Sequence, residues 1–87
     1  MSSKKAFILY YVYLLKSIPF PQKYYVGFSN EVSARLQVHN SGGSVHTSRY
    51  KPWQMVVYLS FEDKKKALSF EAYLKTGSGK AFSRRHF

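Results

Sequence analysis

Eighty-seven residues carry 14 Lys plus Arg against four Asp plus Glu, a formal charge of +10, with 45% apolar and 18% aromatic content. A chain this short makes one small domain that buries only about 60% of its unfolded surface; its apolar content argues against a disordered basic tail. With no cysteine, disulfides, thiolate metal sites and cysteine nucleophiles are excluded, and the charge points to a polyanionic partner, nucleic acid before an anionic membrane surface.

Lys4 and Lys5 followed by the apolar run Ala6 to Leu15 imitate a signal peptide. The run is rich in Tyr, no small-residue cleavage site follows it, and it falls far short of the roughly 20 residues of a membrane span. A cytoplasmic protein with no membrane association is expected. Without repeats, low-complexity tracts or linkers, residues 1–87 read as a single domain.

Phe7 to Leu15 is apolar at both alternating sets of positions, the pattern of a strand covered on both faces. Ser17 to Pro21, with two prolines, reads as a turn, and Lys23 to Ser29 as the returning strand of a hairpin. A five-residue loop over 17–21 pairs Lys16 with Gln22 and sets Tyr13 opposite Tyr25, so that the two rings share a face; an even-length loop would separate them. Ser29 or Asn30 is the expected N-cap of a helix running to about His39, with Glu31 in its first turn. Residues 41–52 read as a polar loop and Trp53 to Phe61 as a third strand. Asp63 caps a second helix over about Lys64 to Lys75, ended by Gly77, and Ser78 caps a short last helix through Arg85. The fold class is α/β (α+β): a small three-stranded, antiparallel-containing sheet flanked by helices in the order β-β-α-β-α-α.

On a helical wheel Ala67, Leu68, Phe70 and Leu74 form one broad arc, and Glu71 falls inside it. A carboxylate there needs a compensating cation, either as a structural ion pair or as part of a functional site. Glu31, Glu62 and Asp63 stand at element edges, where solvated charges are normal. Arg35 and His39 lie one turn apart between Val32 and Leu36, so guanidinium and imidazole either face the sheet together or belong to a snorkelling arginine and an ordinary C-terminal histidine. Of eight tyrosines, Tyr10, Tyr11, Tyr24, Tyr50, Tyr58 and Tyr73 read as core aromatics with hydroxyls at the edges. Lys64 to Lys66 read as a solvated helix start. Lys75-Thr76-Gly77-Ser78-Gly79-Lys80 fails as a phosphate-binding loop, having Leu74 and Ala81 at required positions and following a helix. His39, His46 and His86 lack zinc-site spacing.

Tyr11-Val12-Tyr13, then Tyr25-Val26-Gly27, then Arg35 with His39-Asn40, then Glu71, taken in order, resemble the GIY-YIG nuclease domain. The chain is most similar to the single-domain bacterial type, which resembles the N-terminal domain of an excision-repair nuclease. Shared features are the YVYLLKS strand from Tyr11, the HNSG helix end at His39 to Gly42, Pro52-Trp53 leading a strand, and the helix from Ala67 to Lys75. Tyr11 replaces the usual Gly, and Ala34 stands where a second basic residue is usual beside Arg35.

The resemblance implies an endonuclease that hydrolyses DNA phosphodiesters in repair or recombination, with a single divalent ion, Mg²⁺ or Mn²⁺. By position, Glu71 is the metal ligand, Tyr13 and His39 orient or deprotonate the attacking water, and Arg35 and Tyr25 contact the scissile phosphate. Tyr13 and His39 stand as alternative bases. Arg49, Lys51, Lys80, Arg84 and Arg85 are candidates for DNA backbone contacts. A protein partner supplying specificity is compatible with so small a domain, and a noncatalytic nucleic-acid-binding module of the same fold is the alternative reading.

Overall fold

The computed structural model describes residues 8–87, so Lys4 to Phe7 lie outside the described residues. The elements are β1 (Tyr10–Ser17), β2 (Tyr24–Ser29), α1 (Val32–Ser41), a 3₁₀ turn (Ser48–Tyr50), β3 (Trp53–Phe61), α2 (Lys64–Leu74) and α3 (Gly77–His86). The sheet order is β2-β1-β3, with β1 antiparallel to both neighbours. Being central explains why β1 is apolar on both faces: Val12 to Leu15 are all buried.

Alternation along β1 divides the core in two. Val12 packs with Ala67 and Leu74 of α2, joined by Phe28, Phe70 and Phe82. Tyr13 and Leu15 pack on the opposite face with Trp53, flanked by Tyr25, Leu36 and Tyr50. The sheet is thus sandwiched between α1 with the 3₁₀ turn on one side and α2 with α3 on the other.

The hairpin register differs from the expected one. Lys16 pairs with Tyr24, not Gln22, and Tyr13 lies opposite Gly27, not Tyr25. Ser17 stays in the strand because its N–H donates to the Lys23 carbonyl at 3.0 Å and its hydroxyl to the Tyr50 carbonyl at 2.6 Å. The loop is therefore longer than the Ser17 to Pro21 turn. The shift is by two residues, an even number, so Tyr25 opposite Leu15 still shares the face of Tyr13.

The helix ends also differ in detail. Neither Ser29 nor Asn30 caps α1; Glu31 is the N-cap residue and makes no side-chain cap bond, while the Ser29 hydroxyl accepts from the Glu31 N–H at 2.8 Å. Asp63 caps α2 as expected, accepting from the Lys65 N–H at 2.9 Å. Gly77 does not end α2 but opens α3, whose cap is Thr76 rather than Ser78, accepting from the Gly79 N–H at 3.0 Å. At Gly79 a Cβ would overlap the Tyr73 carbonyl oxygen, so the turn from α2 into α3 needs glycine there.

Leu68 leaves the apolar arc and is 40% exposed, because α3 and the sheet cover only the Ala67, Phe70 and Leu74 side of α2. Tyr24, Tyr58 and Tyr73 are likewise exposed rather than core residues. Tyr24 and Tyr58 stand on the two edge strands, where one flank has no neighbour.

Candidate active site

His39 connects two hydroxyls in the interior. Its Nε2 lies 3.0 Å from the Tyr13 phenol oxygen and its Nδ1 2.7 Å from the Thr47 hydroxyl oxygen. Tyr13, His39 and Thr47 are all at most 1% exposed. A neutral imidazole carries one N–H, so one ring nitrogen donates and the other accepts. Histidine at the last turn of α1 is therefore neither an ordinary helix-end residue nor solvated.

Local structure explains the alignment. Asn40, next to His39, brackets the Trp53 backbone: its amide donates to the Trp53 carbonyl at 3.1 Å and its Oδ1 accepts from the Trp53 N–H at 2.5 Å. The Trp53 indole N–H donates to the Thr47 carbonyl at 2.9 Å. The end of α1, the start of β3 and the intervening loop thereby close a circuit that fixes the imidazole. Gly27 makes room for the phenol: a Cβ there would overlap the ring and hydroxyl of Tyr13.

Tyr25 packs beside the pair, and Arg35 and Glu71 act on the phenol through their charge. The Tyr25 ring centroid is 4.9 Å from that of His39 and 6.4 Å from that of Tyr13. Burial pushes the Tyr13 hydroxyl above its ordinary value of 10.0, against the pull of the Arg35 guanidinium and assisted by Tyr25 and the Glu71 carboxylate. Burial, reinforced by Arg35, pushes His39 below 6.5. The pair is neutral at physiological pH, with a cation from α1 and an anion from α2 both acting on the phenol. The Glu71 side chain is 19% exposed, and its Oε2 pairs with the Lys75 ammonium at 3.1 Å. Among the described residues no three of His, Cys, Asp and Glu cluster as a metal cage. Glu71 offers one hard oxygen ligand, which suits a cation that keeps its waters rather than one held by protein alone.

The five basic candidates do not form one ring. Arg49 lies over the Tyr50 ring at 5.9 Å, and Lys51 reaches Gly42 at the C-terminus of α1. Lys80 and Arg84 line a groove on the α2–α3 side, and Arg85 is exposed on α3 outside it. Sequence reasoning missed Thr47, read as part of a polar loop, and the packing role of Gly27. The glycine directly behind Tyr25-Val26 was the available signal for the latter.

Antiparallel β-hairpin, helix and helix-borne carboxylate set around a buried tyrosine–histidine pair define a class. Residues 9–85 match the GIY-YIG catalytic domain, and the chain belongs to that family. It is 36% identical to a UPF0213 protein of Clostridium perfringens over 75% of this chain and 69% of that one. A UPF0213 protein of Streptococcus pyogenes is 33% identical, over 86% of this chain and 76% of that one. Structure-specific endonuclease subunit SLX1 homolog of Giardia intestinalis is 40% identical over 70% of this chain. The chain spans only 18% of that protein's length, and 21% of the SLX1 subunit of Debaryomyces hansenii, to which it is 37% identical.

Proposed function

We propose that the chain is a divalent-metal-dependent endonuclease that hydrolyses DNA phosphodiesters in repair or recombination. The observation carrying this reading is the buried Tyr13–His39 hydrogen bond with Arg35 and Glu71 acting on the same phenol. The names of the SLX1 relatives as structure-specific endonuclease subunits support it. A cytoplasmic setting fits the absence of cysteine.

Arg35 acts on both members of the pair but Glu71 on Tyr13 alone, and both nitrogens of the fully buried His39 are engaged. The attacking water gives its proton to the Tyr13 oxygen as the phenol proton passes to His39 Nε2, with Nδ1–H donating to Thr47. In this relay Tyr13 takes the proton from water and His39, behind it, is the final acceptor. Arg35 disfavours the imidazolium in the free protein; the anionic scissile phosphate offsets that charge and lets His39 accept. Arg35 also stabilises charge building on phosphorus, and Tyr25 holds the phosphate by its hydroxyl. Glu71 would hold Mg²⁺ or Mn²⁺, displacing Lys75, and the ion when bound supplies Lewis-acid stabilisation of the phosphate oxygens. A protein partner would supply substrate choice.

The test is incubation with labelled duplex, branched and single-stranded DNA, with Mg²⁺ or Mn²⁺ and with chelator. Metal-dependent cleavage is expected. Tight, salt-sensitive binding without cleavage would favour the noncatalytic nucleic-acid-binding module instead.

A further inference from the structure

Helices α2 and α3 cover only part of their face of the sheet. Phe70 and Phe82 close over Val12 and Phe28, but beyond them a groove remains. Its floor is one row across the sheet, Lys16 with its partners Tyr24 and Gln54. Its wall is Lys75 at the end of α2 with Lys80 and Arg84 on α3, and Lys23 stands at the loop end. Lys80 and Arg84 are four residues apart, hence on one helix face. Five cationic residues therefore line the groove, four of them besides Lys23, whose ammonium lies over the Tyr50 ring at 5.2 Å, and none of the chain's four acids lines it.

Two further features define what fits. Tyr24 is 53% and Phe87 37% exposed, so two aromatic surfaces border the cations. Lys16 alternates with Tyr13 and Leu15, so the groove lies on the face opposite the Tyr13–His39 pair. Lys75 joins the two regions, since it lines the groove and pairs with Glu71. A phosphate chain serving both must turn around the sheet. Duplex DNA, stiff over about 150 base pairs, cannot make that turn, and a flat bilayer does not enter a concave groove. A single strand can, and a cationic groove interleaved with aromatic faces is the arrangement that holds one.

We propose that this groove binds single-stranded DNA, the flexible strand that leaves a duplex whose cleavage occurs at the Tyr13–His39 site; the second half of that statement rests on the endonuclease reading above. The cations hold phosphates and Tyr24 stacks a base. A substrate with a duplex-to-single-strand junction would then occupy both faces at once.

Binding is measured by fluorescence anisotropy in metal-free buffer, where no cleavage intervenes, with a labelled oligomer of about 12 deoxythymidines, a length suited to such grooves, and with a duplex of equal length. Lys80→Gln with Arg84→Gln should weaken single-strand binding about tenfold or more at 0.1 M salt and make the slope of log K against log salt shallower by about 1.4. Lys80→Arg with Arg84→Lys should restore both. Tyr24→Leu should cost about fivefold or more with little change in slope. Duplex binding should fall less in every case. The proposal is overturned if the variants bind the oligomer as wild type does, if duplex binding falls equally, or if poly-glutamate displaces the oligomer as well as unlabelled oligomer does. Cleavage with Mg²⁺ or Mn²⁺ is scored separately, so loss of the endonuclease reading leaves the groove measurement standing, and the reverse.

Discussion

The Tyr13 phenol and the His39 imidazole, 26 residues apart in the chain, meet at 3.0 Å with His39 fully buried and Tyr13 1% exposed. If that bond is the proton path, Tyr13→Phe should still fold, at a cost of about 1–3 kcal/mol for the unpaired Nε2, and lose about 10² to 10⁴-fold in cleavage rate, the usual weight of general acid–base catalysis. Single-turnover cleavage beside a thermal melt checks it; a Phe variant that cuts at the wild-type rate would remove Tyr13 from the mechanism.

Thr47 acts through His39 and is a positioning residue. Thr47→Val leaves Nδ1 facing a methyl group, an unpaired buried polar atom worth about 1–3 kcal/mol of stability. Cleavage should fall and its pH profile shift, because the ring is no longer held in one tautomer. Thr47→Ser should restore both rate and profile, which a purely packing role of the threonine methyl would not allow.

Gly27→Ala tests the seat of the phenol. The added methyl overlaps the Tyr13 ring, so the ring must leave its position over β2. Overpacking of this kind costs about 1–3 kcal/mol. Denaturant unfolding should show that loss, and cleavage should fall as far as in Tyr13→Phe.

The pH dependence of stability follows from the two shifts. His39 is depressed below 6.5, so in the window just under 6.5 the unfolded chain binds a proton that the folded chain refuses. Stability from this group is full above 6.5 and falls as pH drops toward the folded value. Tyr13 is raised above 10.0, so its contribution is full below 10.0 and is lost as pH rises beyond it. Melting temperatures should therefore decline on both sides of a plateau, and His39→Gln should remove the acid-side contribution of this group.

Much of this is legible in the sequence. The β3 bounds came directly from alternation over Trp53 to Phe61, and the shared helix face of Arg35 and His39 from their four-residue spacing on α1, though not which way that face turns. The hairpin register was not legible, because Ser17 is held in β1 by bonds to Lys23 and Tyr50 that no turn residue announces. Its error of two left the shared face of Tyr13 and Tyr25 intact only because side chains alternate with period two. Thr47 was hidden because loop residues carry no periodicity; its burial depends on Trp53 and His39 closing over it. The groove was hidden for a related reason: Lys16, Tyr24 and Gln54 become one row only through pairing.

Glu71 gives the most direct test. Its carboxylate is the only one of the chain's four that acts on the Tyr13 phenol. Wild type and Glu71→Ala are compared on one labelled branched DNA with Mn²⁺, reading cleavage and binding in parallel. The expected result is wild-type cleavage, none by Glu71→Ala, and similar binding by both; equal cleavage by the two proteins would contradict the assignment of Glu71 as the residue on which the chemistry depends.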